Sequence, residues 1–265
     1  MSNARAARGR YIPADLYPAG PGRAVLATAQ GCPRRCHYCA SSILAPRFTP
    51  RSLDEILADL NGQLSCGPVS DLAFYDDALL WDRPKRFYPL CDYLEKHHPE
   101  LKLHSPNGLS VDDLDAECCR RLRRAGFKTL RLSLEGVDAY TNAAGGSKTS
   151  ADNYKQAVEN LVAAGYEPGD IETYLLAGLP GQKTDAVLRS IEFVKSLGGR
   201  PKLCEYSPIP GTRLFEAAAA EHPVLKTEPL WHNNTVYTPY LSGAMGPDEL
   251  QYLKGCLKGR AEAAD

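Results

Sequence analysis

Apolar strand-like runs alternate with amphipathic helical stretches along nearly the whole chain, the pattern of a parallel sheet covered by helices. Six such units can be counted. The first run, Ala24 to Ala29, leads through a cysteine-rich loop to a helix opened by the capping box Ser52-Leu53-Asp54-Glu55. That helix carries Leu53, Ile56, Leu57, Leu60 and Leu64 at helical spacing. The second run, Asp71 to Tyr75, precedes a helix around Pro84 to Lys96; the third, Leu101 to Ser105, ends in Pro106-Asn107-Gly108 before a helix from about Asp112 to Ala125. The fourth, Thr129 to Leu134, is followed by a helix from about Ser150 to Ala164, with Tyr154, Ala157, Val158, Leu161 and Val162 inward. The fifth, Ile171 to Leu176, runs into Ala177-Gly178-Leu179-Pro180-Gly181 and a helix carrying Val187, Ile191 and Val194. The sixth, Lys202 to Tyr206, ends in Ser207-Pro208-Ile209-Pro210-Gly211 before a short helix. A last helix, about Pro247 to Lys258, is placed to cover an open edge.

At 265 residues, 43% hydrophobic and 24% charged, the composition is that of a globular protein with room for one large core or barrel. A net charge of -1 gives no general pull toward nucleic acid or an anionic membrane, so neither is expected as a partner. Arg120, Arg121, Arg123 and Arg124 fall in the last turns of a helix, where they read as a solvated face complementing the macrodipole. No signal-peptide core and no apolar run of membrane-spanning length is present, and cysteines outside the loop are scattered without metal spacing. A reducing, cytoplasmic setting is expected. Residues 1–21, with Arg5, Arg8 and Arg10 among small residues, read as a tail.

Chemistry concentrates in Gly31-Cys32-Pro33-Arg34-Arg35-Cys36-His37-Tyr38-Cys39, where three cysteines fall within eight residues as C-x3-C-x2-C. A disulfide framework does not suit an odd group of thiols this close. A structural zinc site normally has four ligands, whereas a cubane iron-sulfur cluster on three cysteines leaves one iron open. A zinc site completed by His37 or a distant residue, and chance clustering, are the other readings.

With Tyr38 before Cys39, the loop resembles the C-x3-C-x-aromatic-C signature of the radical S-adenosylmethionine (SAM) superfamily. The resemblance covers roughly residues 22 to 220. It implies an α/β fold, a partial (β/α)6 TIM-like barrel, followed by a C-terminal helical extension over 221–265. It also implies a [4Fe-4S] cluster on Cys32, Cys36 and Cys39 whose open iron chelates the methionine part of SAM.

Ligands of parallel α/β folds bind at the carboxyl ends of strands, which sorts the remaining candidates. Phe74-Tyr75-Asp76-Asp77 stands where the superfamily often has Gly-Gly-Glu, so Asp76 or Asp77 is expected to receive the methionine ammonium; helix capping is the other reading. Asn107 follows the third strand. Ser133 and Glu135 share one face of the fourth and reach for the ribose or the methionine part of SAM; Arg131, on that face, is a site residue or one half of an internal ion pair. Leu176 and Gly178 resemble the fifth-strand motif that meets adenine, and Pro208 the end of the sixth. His104, Glu205 and Tyr206 are weaker substrate candidates, and Trp231-His232-Asn233-Asn234 is a conceivable cover.

The activity so implied is reductive cleavage of SAM to a 5'-deoxyadenosyl radical that abstracts hydrogen from an unidentified substrate, in an oxygen-sensitive enzyme. An external electron donor of flavodoxin or ferredoxin type is required, since the chain has no flavin or nicotinamide fingerprint. Phe-Tyr-Asp-Asp, Gly-Leu-Pro-Gly and Ser-Pro-Ile-Pro-Gly-Thr are most similar to the cobalamin-linked branch. About twenty residues before the first strand and no D-x-H-x-x-G motif argue against cobalamin, unless a missing domain or partner supplies it for methyl transfer. A non-catalytic iron-sulfur carrier or zinc module is the alternative of another class.

Overall fold

The structure is a computed structural model describing residues 22–146 and 149–258; the expected tail over 1–21 lies outside the described residues. β1 (Gly22–Leu26) opens the sheet and is shorter than the run that predicts it. Ala29 instead joins β2 (Ala29–Gln30), an antiparallel ribbon with β3 (Thr49–Pro50) that closes the base of the cysteine loop. Between them lies α1 (Ser41–Leu44). α2 (Leu53–Leu64) starts at Ser52 with both halves of the capping box formed, and buries Ile56 and Leu60 of the expected stripe.

β4 (Val69–Phe74) leads to α3 (Phe87–His97), which begins three residues after Pro84 because Arg86 is turned inward. β5 (Lys102–His104) and the unanticipated β6 (Leu109–Ser110) precede α4 (Ala116–Ala125). Val111–Asp113 forms a 3-10 turn, and Asp115 rather than Asp112 caps α4 by accepting from the Cys118 amide at 2.7 Å. β7 (Phe127–Glu135) is followed by another unanticipated element, α5 (Ala139–Ala144), and by α6 (Ala151–Ala163). β8 (Ile171–Ala177), α7 (Thr184–Ser196), β9 (Arg200–Glu205) and α8 (Arg213–Glu221) complete the alternation. α9 (Asn234–Tyr240) and α10 (Pro247–Leu257) form the helical C-terminal region.

The six principal strands pair in parallel, in the order β1-β4-β5-β7-β8-β9, with β6 joined to β7. Each unit adds its strand beside the previous one, as in a barrel, but β1 and β9 remain edges, so the architecture is an α/β open partial barrel. The edge of β1 is blunted locally: Gln63 donates to Val25 O at 2.7 Å and accepts from Val25 N at 2.9 Å, standing in for a strand partner. At the other edge α10 packs on α7 and β9, and Lys254 pairs with Glu205 at 2.7 Å.

The helix-facing side is apolar. Phe74, Phe87 and Phe127 meet with ring centroids 5.5–6.1 Å apart and are fully buried. The opposite, concave face carries polar side chains. Arg131 pairs with Glu172 at 2.9 Å, which Lys202 approaches to 3.1 Å, and His104 bridges Thr129 and Asp71 at 2.9 and 2.8 Å. For Arg131 this is the internal ion pair of its two readings, and the His104 ring is likewise engaged by neighbouring strands.

Candidate active site

A cavity of about 320 Å³ opens at the carboxyl ends of the strands, lined by residues of the cysteine loop, the β4–α3 loop, β6, β7, β8 and β9. Cys32, Cys36 and Cys39 line it, with Tyr38, Asp77, Asn107, Ser133, Glu135 and Leu176.

The loop is tied at both flanks. Gly31 adopts φ +80, and a Cβ there would fall 2.7 Å from the Arg47 carbonyl oxygen, so only glycine lets the chain turn at this point. The His37 amide donates to Ala144 O of α5 at 2.9 Å, and the Leu214 amide of α8 donates to His37 O at 3.1 Å. Cys36 Sγ lies 3.3 Å from Gly145 O, and Cys39 Sγ accepts from the Ser41 amide at 3.4 Å. Burial pushes the Cys32 thiol up, and the charges of Cys36, Cys39 and Asp77 add to the shift, which places these groups in mutual electrostatic reach.

Among the described residues no group of three or more His, Cys, Asp or Glu side chains is placed to hold a metal ion. A cubane makes a different demand from one ion, because each thiolate binds its own iron and the three must ring a volume. Three thiols around one cavity suit that demand, so the donor set fits a cluster better than a compact zinc site.

Glu135 ends β7 in an uncommon backbone state, φ +68, beside a register shift between Ser133 and Glu135 in the pairing with β8. Such a conformation in a non-glycine residue is held only where its surroundings enforce it. Glu135 is 6% exposed and lies on the cavity wall, where the Tyr38 hydroxyl donates to its carboxylate. Burial and the Glu135 charge hold the Tyr38 phenol well above the usual tyrosine range.

The two aspartates have separate places. Asp77 is exposed and lines the cavity, whereas Asp76 is 2% exposed and does not. Its carboxylate accepts from the Thr28 amide at 3.0 Å, the Thr28 hydroxyl at 2.6 Å and the Ala29 amide at 2.9 Å, and pairs with Arg86 at 3.4 Å. Asp76 is therefore turned toward the start of the cysteine loop, and of the two aspartates offered as alternatives Asp77 is the one that lines the cavity. Asn107 lines the cavity while its amide donates to Asp76 O at 3.1 Å.

Gly178 and Pro208 are not among the residues that line the cavity. Gly178, at φ +83, is needed for a different close approach: a Cβ would sit 2.4 Å from Thr238 Cγ2 of α9. Gly178→Ala is expected to lower stability by about 2–4 kcal/mol, from left-handed backbone plus overpacking. Gly181→Ala, at φ +75 with nothing within 4 Å, should lose only the backbone part, about 1–2 kcal/mol. Equal unfolding midpoints for the two variants would remove the Thr238 clash from the account. Pro208 is buried, and Trp231 packs on the cluster around Phe215 and Tyr237 rather than over the cavity.

Among the lining residues that the sequence reading did not single out, Arg34, Trp81, Tyr174 and Cys204 bring the most chemistry. Arg34 reaches across to Ser110 and to Asp113 at 3.3 Å; Trp81, 42% exposed, stands on the β4–α3 loop; Tyr174 donates to Pro106 O at 2.9 Å. Cys204 of β9 is the fourth thiol in the cavity, and burial, with Glu135 adding, pushes it up to about 11. Arg34 lies inside the cysteine motif, and Tyr174 and Cys204 sit at alternate positions of their strands, so parity along a strand could have flagged the last two.

The radical SAM superfamily pattern matches residues 26–194. An uncharacterized methyltransferase of Pyrococcus horikoshii is 22% identical over 233 residues, 87% of this chain and 49% of the relative. The chain thus spans about half the length of that curated relative. The radical SAM methyltransferase TsrM from Kitasatospora setae, with tryptophan substrate and a SAM analog bound, superposes with a TM-score of 0.65 at 16% identity over 78% of this chain and 40% of that one. Coproporphyrinogen III oxidase from Escherichia coli, a radical SAM enzyme, gives 0.58 at 13% identity over 75% and 47%. At these identities the structural likeness is one of fold.

Proposed function

Because the chain belongs to the radical SAM superfamily of enzymes, we propose that it generates a substrate radical from SAM at the strand-end cavity, by hydrogen abstraction from an organic substrate. The observation that carries this reading is the ring of Cys32, Cys36 and Cys39 around the same cavity that receives Glu135, Ser133, Asn107 and Asp77. The three cysteines would hold a [4Fe-4S] cluster. When bound, that cluster and SAM supply a 5'-deoxyadenosyl radical by one-electron cleavage of the sulfonium C–S bond.

This chain's own groups bind and orient. Glu135, fixed by the Tyr38 hydroxyl, offers a buried carboxylate to the methionine ammonium, and Asp77 offers a second from the opposite loop. Ser133 and Asn107 present short polar groups for hydroxyls, and Leu176 an apolar surface for a base. Holding the partners in contact supplies most of what a protein can add to radical chemistry, together with exclusion of water by the apolar wall of Leu79, Leu80 and Trp81. Reduction would come from an external flavodoxin- or ferredoxin-type protein. Among the described residues no helix is long and apolar enough to cross a membrane.

Anaerobic reconstitution is expected to give about four irons per chain and 5'-deoxyadenosine that depends on both SAM and reductant. A chain that takes up one zinc and no iron would overturn the reading. A second reading, methyl transfer with cobalamin supplied by another domain or chain, is favoured by the methyltransferase description of the Pyrococcus relative; corrinoid binding by the reconstituted chain tests it.

A further inference from the structure

Beside the cysteine loop the surface carries apolar side chains for which the fold has no use. Helix α1 buries none of its residues; Ile43 is 45% exposed and Leu44 80%. Ile209 is also exposed, and Ile43 reaches toward Gly211, so the two segments form one apolar surface. Contiguous apolar surface on an otherwise polar exterior marks an interaction site.

Three exposed arginines frame it. Arg35 precedes Cys36 and donates to Pro46 O at 3.5 Å; Arg47 follows Pro46 and lays its carbonyl against Gly31; Arg213 contacts His37 Nε2 at 2.8 Å. Among the described residues none of the three is ion-paired, whereas Arg34 is engaged by Asp113 and Arg51 by Asp59. From Ala27 to Ser52 the sequence holds four arginines and no Asp or Glu, and Tyr206 to Phe215 adds Arg213 and no acid. In a chain of net charge -1 this bias is local.

We infer that this collar docks an acidic electron-carrier protein, whose reduced flavin or iron-sulfur centre passes one electron to the cluster. The inference rests on the function proposed above. The donor loses one electron and the cluster gains it, with no bond made or broken at the interface. Placement and charge select this occupant: the arginines flank two of the three cysteines, where the electron's path through protein is short, and an apolar centre with a cationic rim complements an acidic partner. A cationic rim of this kind acts chiefly on the encounter rate and makes binding weaken with salt.

The test uses the whole reconstituted chain and an acidic flavodoxin as probe. Calorimetric binding of the native chain should weaken as salt rises, and the variant Arg35→Glu/Arg47→Glu/Arg213→Glu should bind about tenfold or more weakly with its salt dependence lost or reversed. Leu44→Glu should weaken binding independently. Dithionite-driven formation of 5'-deoxyadenosine should be unchanged in both variants. Unaltered flavodoxin binding by the variants overturns the proposal, as does a native dimer that Leu44→Glu dissociates, because a second copy would then own the surface. If the native chain binds flavodoxin yet makes no 5'-deoxyadenosine with either reductant, the proposed function fails while the docking surface stands.

Discussion

Asp76→Asn is expected to lower the unfolding free energy by about 3–5 kcal/mol, because it removes one partner of a buried ion pair and leaves the other charged. Arg86 is 5% exposed, and besides Asp76 it donates to the Thr28 hydroxyl; its other contacts are the carbonyls of Leu79 and Trp81, each of these two at 2.7 Å, and of Ala78 at 3.2 Å. Desolvation raises the Asp76 carboxyl and lowers the Arg86 guanidinium, so each charge is tolerated in the interior through the other. The clamp joins two walls of the cavity: Thr28 and Ala29 lead into the cysteine loop, and 78–81 is the opposite rim. Denaturant unfolding gives the loss. Asp76→Asn/Arg86→Met should be less damaging than the sum of the single variants, since it buries no orphan charge. A loss below about 1 kcal/mol for Asp76→Asn would mean that the pair holds nothing together.

Cys36→Ala is expected to abolish stable iron incorporation and to reduce 5'-deoxyadenosine formation by at least about a thousandfold, since two thiolates do not hold a cubane. Cys66→Ala is the matched control. Cys66 faces Gly62 O at 3.2 Å on α2, away from the cavity lining, and its removal should leave iron content intact. Cys204→Ala is the sharper comparison, because Cys204 shares the cavity with the other three thiols. Cys204 stands on β9, outside the C-x3-C-x2-C loop, so the variant should keep about four irons and the same spectrum. Loss of iron in Cys204→Ala would instead identify a closed four-thiolate site with no position left for SAM.

The alternation of apolar runs was enough to read the six parallel strands, since a strand buried against helices needs continuous or alternating apolar residues whatever its neighbours are. It was not enough for β6, two residues long, or for α5, six residues long, because neither spans a full period. Helix starts followed caps where the cap was unambiguous. Ser52 opened α2 as read, while the helix expected from about Asp112 starts after Asp115, which caps it.

What the sequence determined alone was the unit order, the family and the three-thiol loop, all of which are carried by local spacing. The direction of each side chain at the strand ends was decided only in three dimensions. Asp76 and Asp77 are adjacent and chemically alike, yet one is consumed by Thr28, Ala29 and Arg86 and the other lines the cavity. Gly178 reads as a place where a ligand meets the backbone, and the side that a Cβ would occupy is taken by Thr238 of α9, from sixty residues later in the chain. Cys204 shows the reverse: unremarkable in its own stretch, it becomes part of the site because β9 is the last strand placed along the same sheet. Spacing along the chain specifies which groups can act together locally; which distant groups meet them depends on register and packing, and those are properties of the folded sheet.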